Sequence, residues 1–371
     1  MDKSRDYKEW LLSCWVPWFL SNRQEPSNSA TMILGIETSC DETSVALLDS
    51  DGSVRVNLIA SQIERHRPFG GVVPEIASRE HLQHLFPLVS RALEDANASW
   101  SDIERIAVTA GPGLIGALLV GVAGAQGLSY ALGVPLVPVN HLEGHLFSPY
   151  LQREGAATAL PPRFLSMVIS GGHSQIYDVE RGAVTMLNRT RDDAIGETFD
   201  KVAKFMGLPY PGGPQIEQWA SQGRIDRRRF PFPVPQFKDE SLDFSYSGIK
   251  AGAIRIARQQ GIRADGDAKL LADFCATFQE ALFAQLFSRL DAIWLRLQPP
   301  LPTEVAIAGG VAANETLRDK MLAWGRQHGV IVRLPEKRYC TDNAAMIAFA
   351  ALQKSAQVTD PRRVTARSRI V

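Results

Sequence analysis

The stretch Met32–Asp49, MILGIETSCDETSVALLD, reads as an apolar strand (ILGIE), a polar turn (TSCDET) and a second strand (SVALLD). Phe164–Val179, FLSMVISGGHSQIYDV, has the same form, with GGHS at its tip. Short apolar runs bounded by Gly, Asp and Ser clusters are hairpin signals. The likeness continues outward from each hairpin. After the first, the strand Ile106–Ala110 meets Gly111-Pro112-Gly113, a glycine-rich helix follows, and a strand at Leu136–Val139 leads into His141-Leu142-Glu143-Gly144-His145, which opens another helix. After the second, the strand Glu304–Ala308 meets Gly309-Gly310 and a helix starts near Asn314. The strand Val330–Leu334 then leads to Thr341-Asp342-Asn343 and the helix Ala344–Leu352, with Thr341 or Asp342 as its expected N-cap. Two copies of this order predict an internally duplicated α/β protein whose matching loops face one another across a cleft. Strand–glycine–helix units also match by chance in α/β proteins, so the order of all the parts carries the duplication, not any one of them.

The layout resembles the actin/Hsp70/sugar-kinase (ASKHA) superfamily, whose two similar halves close on a nucleotide and whose hairpin loops hold phosphates. On this pattern residues 32–160 form the first half, residues 161–355 the second, and residues 356–371 a basic tail. The second half carries a mostly helical insert, about Leu187 to Pro299. Within it, Phe230–Phe237 is expected to be loop and Phe274–Leu297, apolar at helical spacing, a core helix. No G-x-x-x-x-G-K-[ST] string occurs, which speaks against a P-loop reading.

A chain of 371 residues fits about two domains. Hydrophobic residues at 45% and charged residues at 22% are the mix of a globular protein rather than a disordered one. Lys plus Arg, 40, equals Asp plus Glu, 40, so no global field draws the protein to nucleic acid or an acidic membrane, and RNA binding requires a local basic patch. Cys14, Cys40, Cys275 and Cys340 are far apart and form no CxxC pair, which argues for a reducing compartment, the cytoplasm, over a disulfide framework.

Residues 1–31 are set apart. Leu11–Leu20 is apolar and contains Trp15 and Trp18, and Ser21–Thr31 is a polar linker. Asp2, Asp6 and Glu9 offset Lys3, Arg5 and Lys8, against the net positive start of a signal peptide and the acid-poor character of a presequence. The segment is expected to be a leader outside the fold, or to precede a working start at Met32. The uncharged run Leu114–Leu132 is long enough to span a bilayer, but Gly116, Gly121, Gly124 and Gly127 and its position between two strands predict a core helix.

His141 and His145 stand at i,i+4 spacing at the start of a helix, which puts both imidazoles on one face where they can share a metal. Glu143 lies two residues after His141 and so on another face, unlike the acid of H-E-x-x-H, and is poorly placed as a general base. Asp342 occupies the second-half position that matches the His pair. A two-His, one-carboxylate set across the cleft suits iron(II), zinc or manganese.

Glycine turns supply the candidate ligand site. Ser170-Gly171-Gly172-His173 follows an apolar strand, and its glycines let backbone N–H groups approach an anion. Tyr210-Pro211-Gly212-Gly213-Pro214 precedes Glu217, a candidate partner for a ribose. Gly309-Gly310 allows a flat base to lie near Asn314, and Asp200 is a further polar candidate for the same ligand.

These motifs, together with Ile36–Thr43 (IETSCDET), Gly70–Glu75 (GGVVPE), Ala110–Leu114 (AGPGL), Phe244–Lys250 (FSYSGIK) and Cys340–Met346 (CTDNAAM), resemble the TsaD family, also called Gcp or YgjD, from about Met32 to Leu352. The resemblance implies transfer of a threonylcarbamoyl group from threonylcarbamoyl-AMP to N6 of adenosine 37 in tRNAs that read codons starting with A. It implies His141, His145 and Asp342 as ligands of one divalent ion, Fe(2+) by preference or Zn(2+). It further implies Val168, Ile169, Ser170, Gly171, Gly172, Asp200, Gly213, Glu217 and Asn314 around the adenylate. Bacterial members work with TsaB-like and TsaE-like proteins, and a TsaB-like partner is expected on the first-half surface helices. No general base is assigned, and Asp41 and Glu42 on the first hairpin loop are candidates only. For tRNA, Arg224, Arg227, Arg228 and Arg229 cluster in one loop and Arg362, Arg363, Arg367 and Arg369 in the tail, which lacks the family's aromatic ending.

Two rival readings follow from the same residues. A small-molecule kinase or ATPase of the ASKHA superfamily needs the cleft but not the His pair. A metalloprotease needs the His pair and a better placed acid than Glu143.

Overall fold

The computed structural model describes residues 32–152, 155, 157–233, 241–354 and 360–369. The leader 1–31, with Cys14, lies outside the described residues, as do parts of the Phe230–Phe237 stretch and of the tail. The first half runs β1 (Met32–Glu37), β2 (Glu42–Asp49), β3 (Val54–Ser61), α1 (Ile63–His66), α2 (Pro74–Asp95), β4 (Ile103–Gly111), α3 (Ile115–Leu132), β5 (Leu136–Asn140) and α4 (His141–Phe147). The second runs β6 (Arg163–Ile169), β7 (Ser174–Glu180), β8 (Ala183–Arg189), α5 (Ile195–Met206), α6 (Gly212–Ala220), α7 (Ser247–Gln260), α8 (Ala268–Trp294), β9 (Glu304–Ala308), α9 (Glu315–His328), β10 (Ile331–Arg333) and α10 (Ala344–Gln353).

The duplication is visible in the strand order. One sheet is β3-β2-β1-β4-β5 and the other, read from its far edge, is β8-β7-β6-β9-β10. In both, the first three strands form an antiparallel meander and the first strand then pairs in parallel with the fourth. The central strands β1 and β6 are apolar nearly throughout because helices cover both faces, whereas alternation would mark a sheet with one wet face.

Each meander has one strand more than the hairpins announced. The outermost, β8, is largely exposed, and so little burial leaves only a faint apolar pattern. Leu187 through Arg189 therefore belong to the sheet, paired with β7, and the helical insert begins only with α5. Its long core helix, α8, starts earlier than Phe274, with Asp267 capping Lys269 and Leu270 N–H. Helix α3 is a core helix on one face only: Ile115, Leu119 and Tyr130 are exposed, and Gly124 lies against Leu85 of α2.

The halves exchange their last helices. α10, late in the chain, packs on β1 and β2 of the first sheet, while α4 packs against β6 and β9 of the second, and α4 and α10 pack on each other. The contact of α10 with β1 demands Gly35: a Cβ there would sit 2.4 Å from the Ala344 carbonyl oxygen. The cap of α10 is Asn343, whose side chain accepts the Met346 N–H, and not Thr341 or Asp342. A cap side chain must fold back over the first turn, so this choice leaves the Asp342 carboxylate available to point elsewhere. The described part of the tail docks on the first half. Val364 is buried in that half's core, Gln126 Nε2 donates to the carbonyls of Pro361 and Val364, and Arg367 N–H donates to Ala110 O.

Candidate functional site

Because α4 and α10 lie side by side at the joint between the halves, their starting residues meet. Asn140 caps α4 by accepting the Leu142 N–H at 2.9 Å, which fixes His141 as its first residue and puts His145 one turn on. The two rings are edge-on, with centroids 4.7 Å apart. Asp342 Oδ1 lies 3.1 Å from His145 Nε2 and 3.5 Å from His141 Nε2. One ligand atom from each of the three residues falls within 4.8 Å of the others. Two buried imidazoles and one partly buried carboxylate, convergent on one point, are a donor set that fits a divalent transition ion.

Charges in this cluster depend on one another. Burial disfavours a charged His141, but the carboxylates of Asp342 and Glu37 push it up to about 9. Burial, helped by the neighbouring His141, lowers His145 despite its bond to Asp342. Burial would raise Asp342, yet His141 and His145 hold it well below the usual carboxylate range. Glu37, fully buried at the end of β1, accepts the Ser39 N–H and the Thr109 hydroxyl, and its Oε2 lies 3.1 Å from His141 Nδ1.

The second half supplies a continuous wall beside this cluster. Val168 and Ile169 are buried in β6 and deliver the Ser170–His173 turn, closed by Ser170 N–H to His173 O at 2.8 Å. Gly309, at φ +89°, packs against the Ile169 carbonyl so closely that a Cβ would lie 2.4 Å from it. Gly171 O accepts the Glu197 N–H of α5, and Asp200 on α5 accepts the Gly212 N–H of α6 at 2.7 Å. Glu217 on α6 accepts the Glu315 N–H of α9 at 2.7 Å. A Cβ at Gly171, Gly172 or Gly213 would meet nothing within 4 Å, so these positions border open space. Asn314 is different: its side chain caps α9 through Leu317 N–H and donates to Gln279 Oε1, and both ends are committed to the fold. Burial takes Asp200 up to about 6, against two backbone N–H bonds that lower it.

The first hairpin loop faces that wall, since Asp200 and Tyr210 both feel the charge of Asp41. Burial raises Asp41 and takes Glu42 to about 8. A buried chain of hydrogen-bonded side chains holds the loop from behind. His66 Nδ1 accepts the Val73 N–H, so its Nε2–H donates to Gln62 Oε1 at 3.1 Å. Gln62 Nε2 donates to His81 Nδ1, which also accepts the Thr43 hydroxyl at 2.7 Å, and His81 Nε2–H donates to Cys40 O at 3.0 Å. Burial keeps His81 below its ordinary value.

His173, Glu37, Thr109 and this His–Gln–His chain escape a reading of the sequence. Burial, with the charges of His141 and His145, takes His173 down to about 4, so an uncharged imidazole stands near the cluster. A His beside two glycines in a turn was the available signal. Glu143 forms an ion pair with Lys354 and is thereby held away from the His pair. Arg224, Arg227, Arg228 and Arg229 are exposed, with Arg227 paired to Glu280; Arg362 is paired to Asp360, and Arg363, Arg367 and Arg369 are exposed.

The fold recurs in component A of the (R)-2-hydroxyglutaryl-CoA dehydratase of Acidaminococcus fermentans, with TM-score 0.50 and 15% identity over 88% of this chain and 100% of that one. It recurs again in full-length HypF in its phosphate- and nucleotide-bound form, with TM-score 0.54 and 11% identity over 89% of this chain and 56% of that one. Strand order and these likenesses define an actin-like, two-half α/β protein, here with a His–His–carboxylate cluster at the joint. The family model described as TsaD, tRNA N6-adenosine threonylcarbamoyltransferase, matches residues 53–349. A protein of that name from Moorella thermoacetica is 47% identical over 86% of this chain and 91% of its own length. Another, from Syntrophobacter fumaroxidans, is 43% identical over 91% of this chain and 99% of its own. The chain belongs to the TsaD family and is a transferase.

Proposed function

We propose that this chain transfers the threonylcarbamoyl group of threonylcarbamoyl-AMP to N6 of adenosine 37 in tRNAs reading codons that start with A. The observation that carries the reading is the convergence of His141, His145 and Asp342 beside the open glycine positions of the second half. The N6 amine attacks the carbamoyl carbon, the bond from that carbon to the phosphate oxygen breaks, AMP leaves, and the amine loses a proton. A divalent ion, Fe(2+) in our reading with Zn(2+) as the substitute, would be held by His141, His145 and Asp342 and supply Lewis acidity toward phosphate or carbonyl oxygens.

The protein's own groups do the rest. We assign the donor to the wall of Val168, Ile169, Ser170, Gly171, Gly172, Asp200, Gly213, Glu217 and Asn314. There the open glycines admit phosphate and base, while Asp200 and Glu217 brace the turns that border them. In this reading the halves close on the donor and so keep water from the activated carbamate. No general base is assigned for the N6 proton; Asp41 and Glu42 on the first hairpin loop are candidates only, and burial raises both carboxyls.

For the assembly, we take residues 32–160 and 161–355 as the two halves and place a TsaB-like partner on the exposed apolar face of α2 and α3, where Leu82 and Leu119 are 66% and 53% exposed. A TsaE-like partner joins the complex, the exposed arginines of the α6–α7 connection and of the tail contact tRNA phosphates, and the protein works in the cytoplasm. The test is mass spectrometry of tRNA nucleosides after mixing the chain, its partners, threonylcarbamoyl-AMP and unmodified tRNA. Threonylcarbamoyladenosine made by wild type and not by His141→Ala supports the reading. No product from wild type, under conditions where a relative of known activity makes it, rejects the reading.

A further inference from the structure

Of the two imidazoles in the cluster, only one is supported from behind. His141 Nδ1 faces two oxygens, Glu37 Oε2 and Ser39 Oγ, each at 3.1 Å. For His145 the corresponding nitrogen, Nδ1, is buried and has no hydrogen-bond partner among the described residues. Glu37 is 0% exposed and receives a backbone N–H from Ser39, a hydroxyl from Thr109 and the imidazole, so everything around its carboxylate is a donor. A carboxylate accepts only, so the imidazole facing it keeps a proton on Nδ1, and Nε2 is the nitrogen that can be given up to an ion. Nε2 is also the nitrogen aimed at Asp342, 3.5 Å away.

From this geometry we infer that Glu37 is a positioning residue of the metal centre, fixing the ring orientation and tautomer of His141 so that its Nε2 is presented as a ligand before any ion arrives. The inference rests on the reading that His141, His145 and Asp342 bind a divalent ion. It makes the two histidines unequal: His141 is pre-set by β1 and β4, while His145 must adjust its proton when the ion enters. Partners of this kind typically account for about 10–100-fold in metal affinity. An amide replaces the carboxylate only at the expense of the tautomer, because its NH2, placed where Glu37 Oε2 meets Thr109 and His141 Nδ1, would turn Nδ1 into an acceptor. Aspartate keeps the charge but, one methylene shorter, draws it back from the ring.

The experiment is a Co(II) titration of the full-length chain followed by visible absorption, with Zn(II) affinity measured by competition against a chromophoric chelator, and melting of the metal-free proteins alongside. Wild type, Glu37→Gln and Glu37→Asp are compared. The inference expects Glu37→Gln to bind Zn(II) about 10–100-fold more weakly with an altered Co(II) spectrum, and Glu37→Asp to fall between. A Glu37→Gln chain with wild-type affinity and spectrum overturns the role of Glu37 and leaves the metal site standing. A wild type that binds neither ion overturns the metal reading itself. Should Glu37→Gln fail to fold, Glu37→Asp decides alone: unchanged affinity and spectrum reject the inference, and weakened binding with an unchanged metal-free melting temperature supports it.

Discussion

Asp342 Oδ1 lies 3.1 Å from His145 Nε2, although almost two hundred positions of chain separate them, because α4 and α10 start at the same point of the joint. A carboxylate so placed is one leg of the donor set rather than a cap. Asp342→Asn and His145→Ala are each expected to abolish stoichiometric Zn(II) binding and to lower transfer activity at least about 100-fold, as loss of a direct ligand does. Dialysis against a chelator should do the same to wild type, with recovery on adding Fe(II) or Zn(II). Activity that survives both chelation and Asp342→Asn would remove the metal from the mechanism.

The same joint depends on a residue far from any chemistry. A Cβ at position 35 would meet Ala344 O at 2.4 Å and Ala348 Cβ at 3.0 Å, both on the helix that follows Asp342. Gly35→Ala is expected to destabilise the fold by about 1–3 kcal/mol, the usual range for overpacking. It should also weaken Zn(II) binding, since relief of the clash moves α10. Urea denaturation and chelator competition read the two effects. A variant destabilised in this range with wild-type metal affinity would show that α10 yields without carrying Asp342.

His81 ties α2 to the first hairpin loop through Cys40 O and Thr43. His81→Phe keeps a ring of similar size but strands the Thr43 hydroxyl and the Gln62 amide, at a cost of about 1–3 kcal/mol in urea unfolding. If the loop places Asp41 and Glu42 as proposed, turnover should fall further than stability accounts for, with Thr43→Val milder in both respects. Turnover unchanged in a destabilised His81→Phe protein would confine the chain to a structural role.

Glu42 has one oxygen on Ser61 Oγ at 2.8 Å and the other buried without a partner among the described residues, and its burial takes it from an ordinary 4.5 to about 8. Between those values the folded chain holds a proton that the unfolded chain has lost. The contribution of Glu42 to stability therefore falls as pH rises from about 4.5 to about 8. Glu42→Gln removes that slope. Measured by urea midpoints, the variant should gain on wild type as pH increases across this window, and a difference that stays constant would contradict the shift.

On the outer face of the first half, Leu82 and Leu119 offer an apolar surface with a neighbouring Phe86 at 40% exposure. Leu119→Glu should leave melting of the isolated chain within about 1 °C, as an exposed substitution does, while abolishing co-elution with a TsaB-like partner on size exclusion. Co-elution retained by a Leu82→Glu, Leu119→Glu double variant would move the partner elsewhere.

Much of this protein could be read from one dimension. Two apolar hairpins followed by strand, glycine and helix gave the duplicated α/β architecture, because apolar periodicity is local and survives in the primary order. The spacing of His141 and His145 defined their shared helical face for the same reason. Asp342 was reachable only through the repeat, and the sequence offered Asp342 itself as a cap; the cap is Asn343, and what frees Asp342 is the packing of α10 on β1 and α4. β8 was hidden because an edge strand buries too little to leave a pattern. Glu37 stood in plain view in the opening stretch, yet it reads as an ordinary strand end. Its role depends on Thr109 and His141, which only the parallel pairing of β1 with β4 and the neighbouring position of β5 bring to it. Local patterning thus determined the elements and their order, whereas the identity of each side chain's partners was decided by contacts between segments that are distant in sequence and leave no periodic trace within either one.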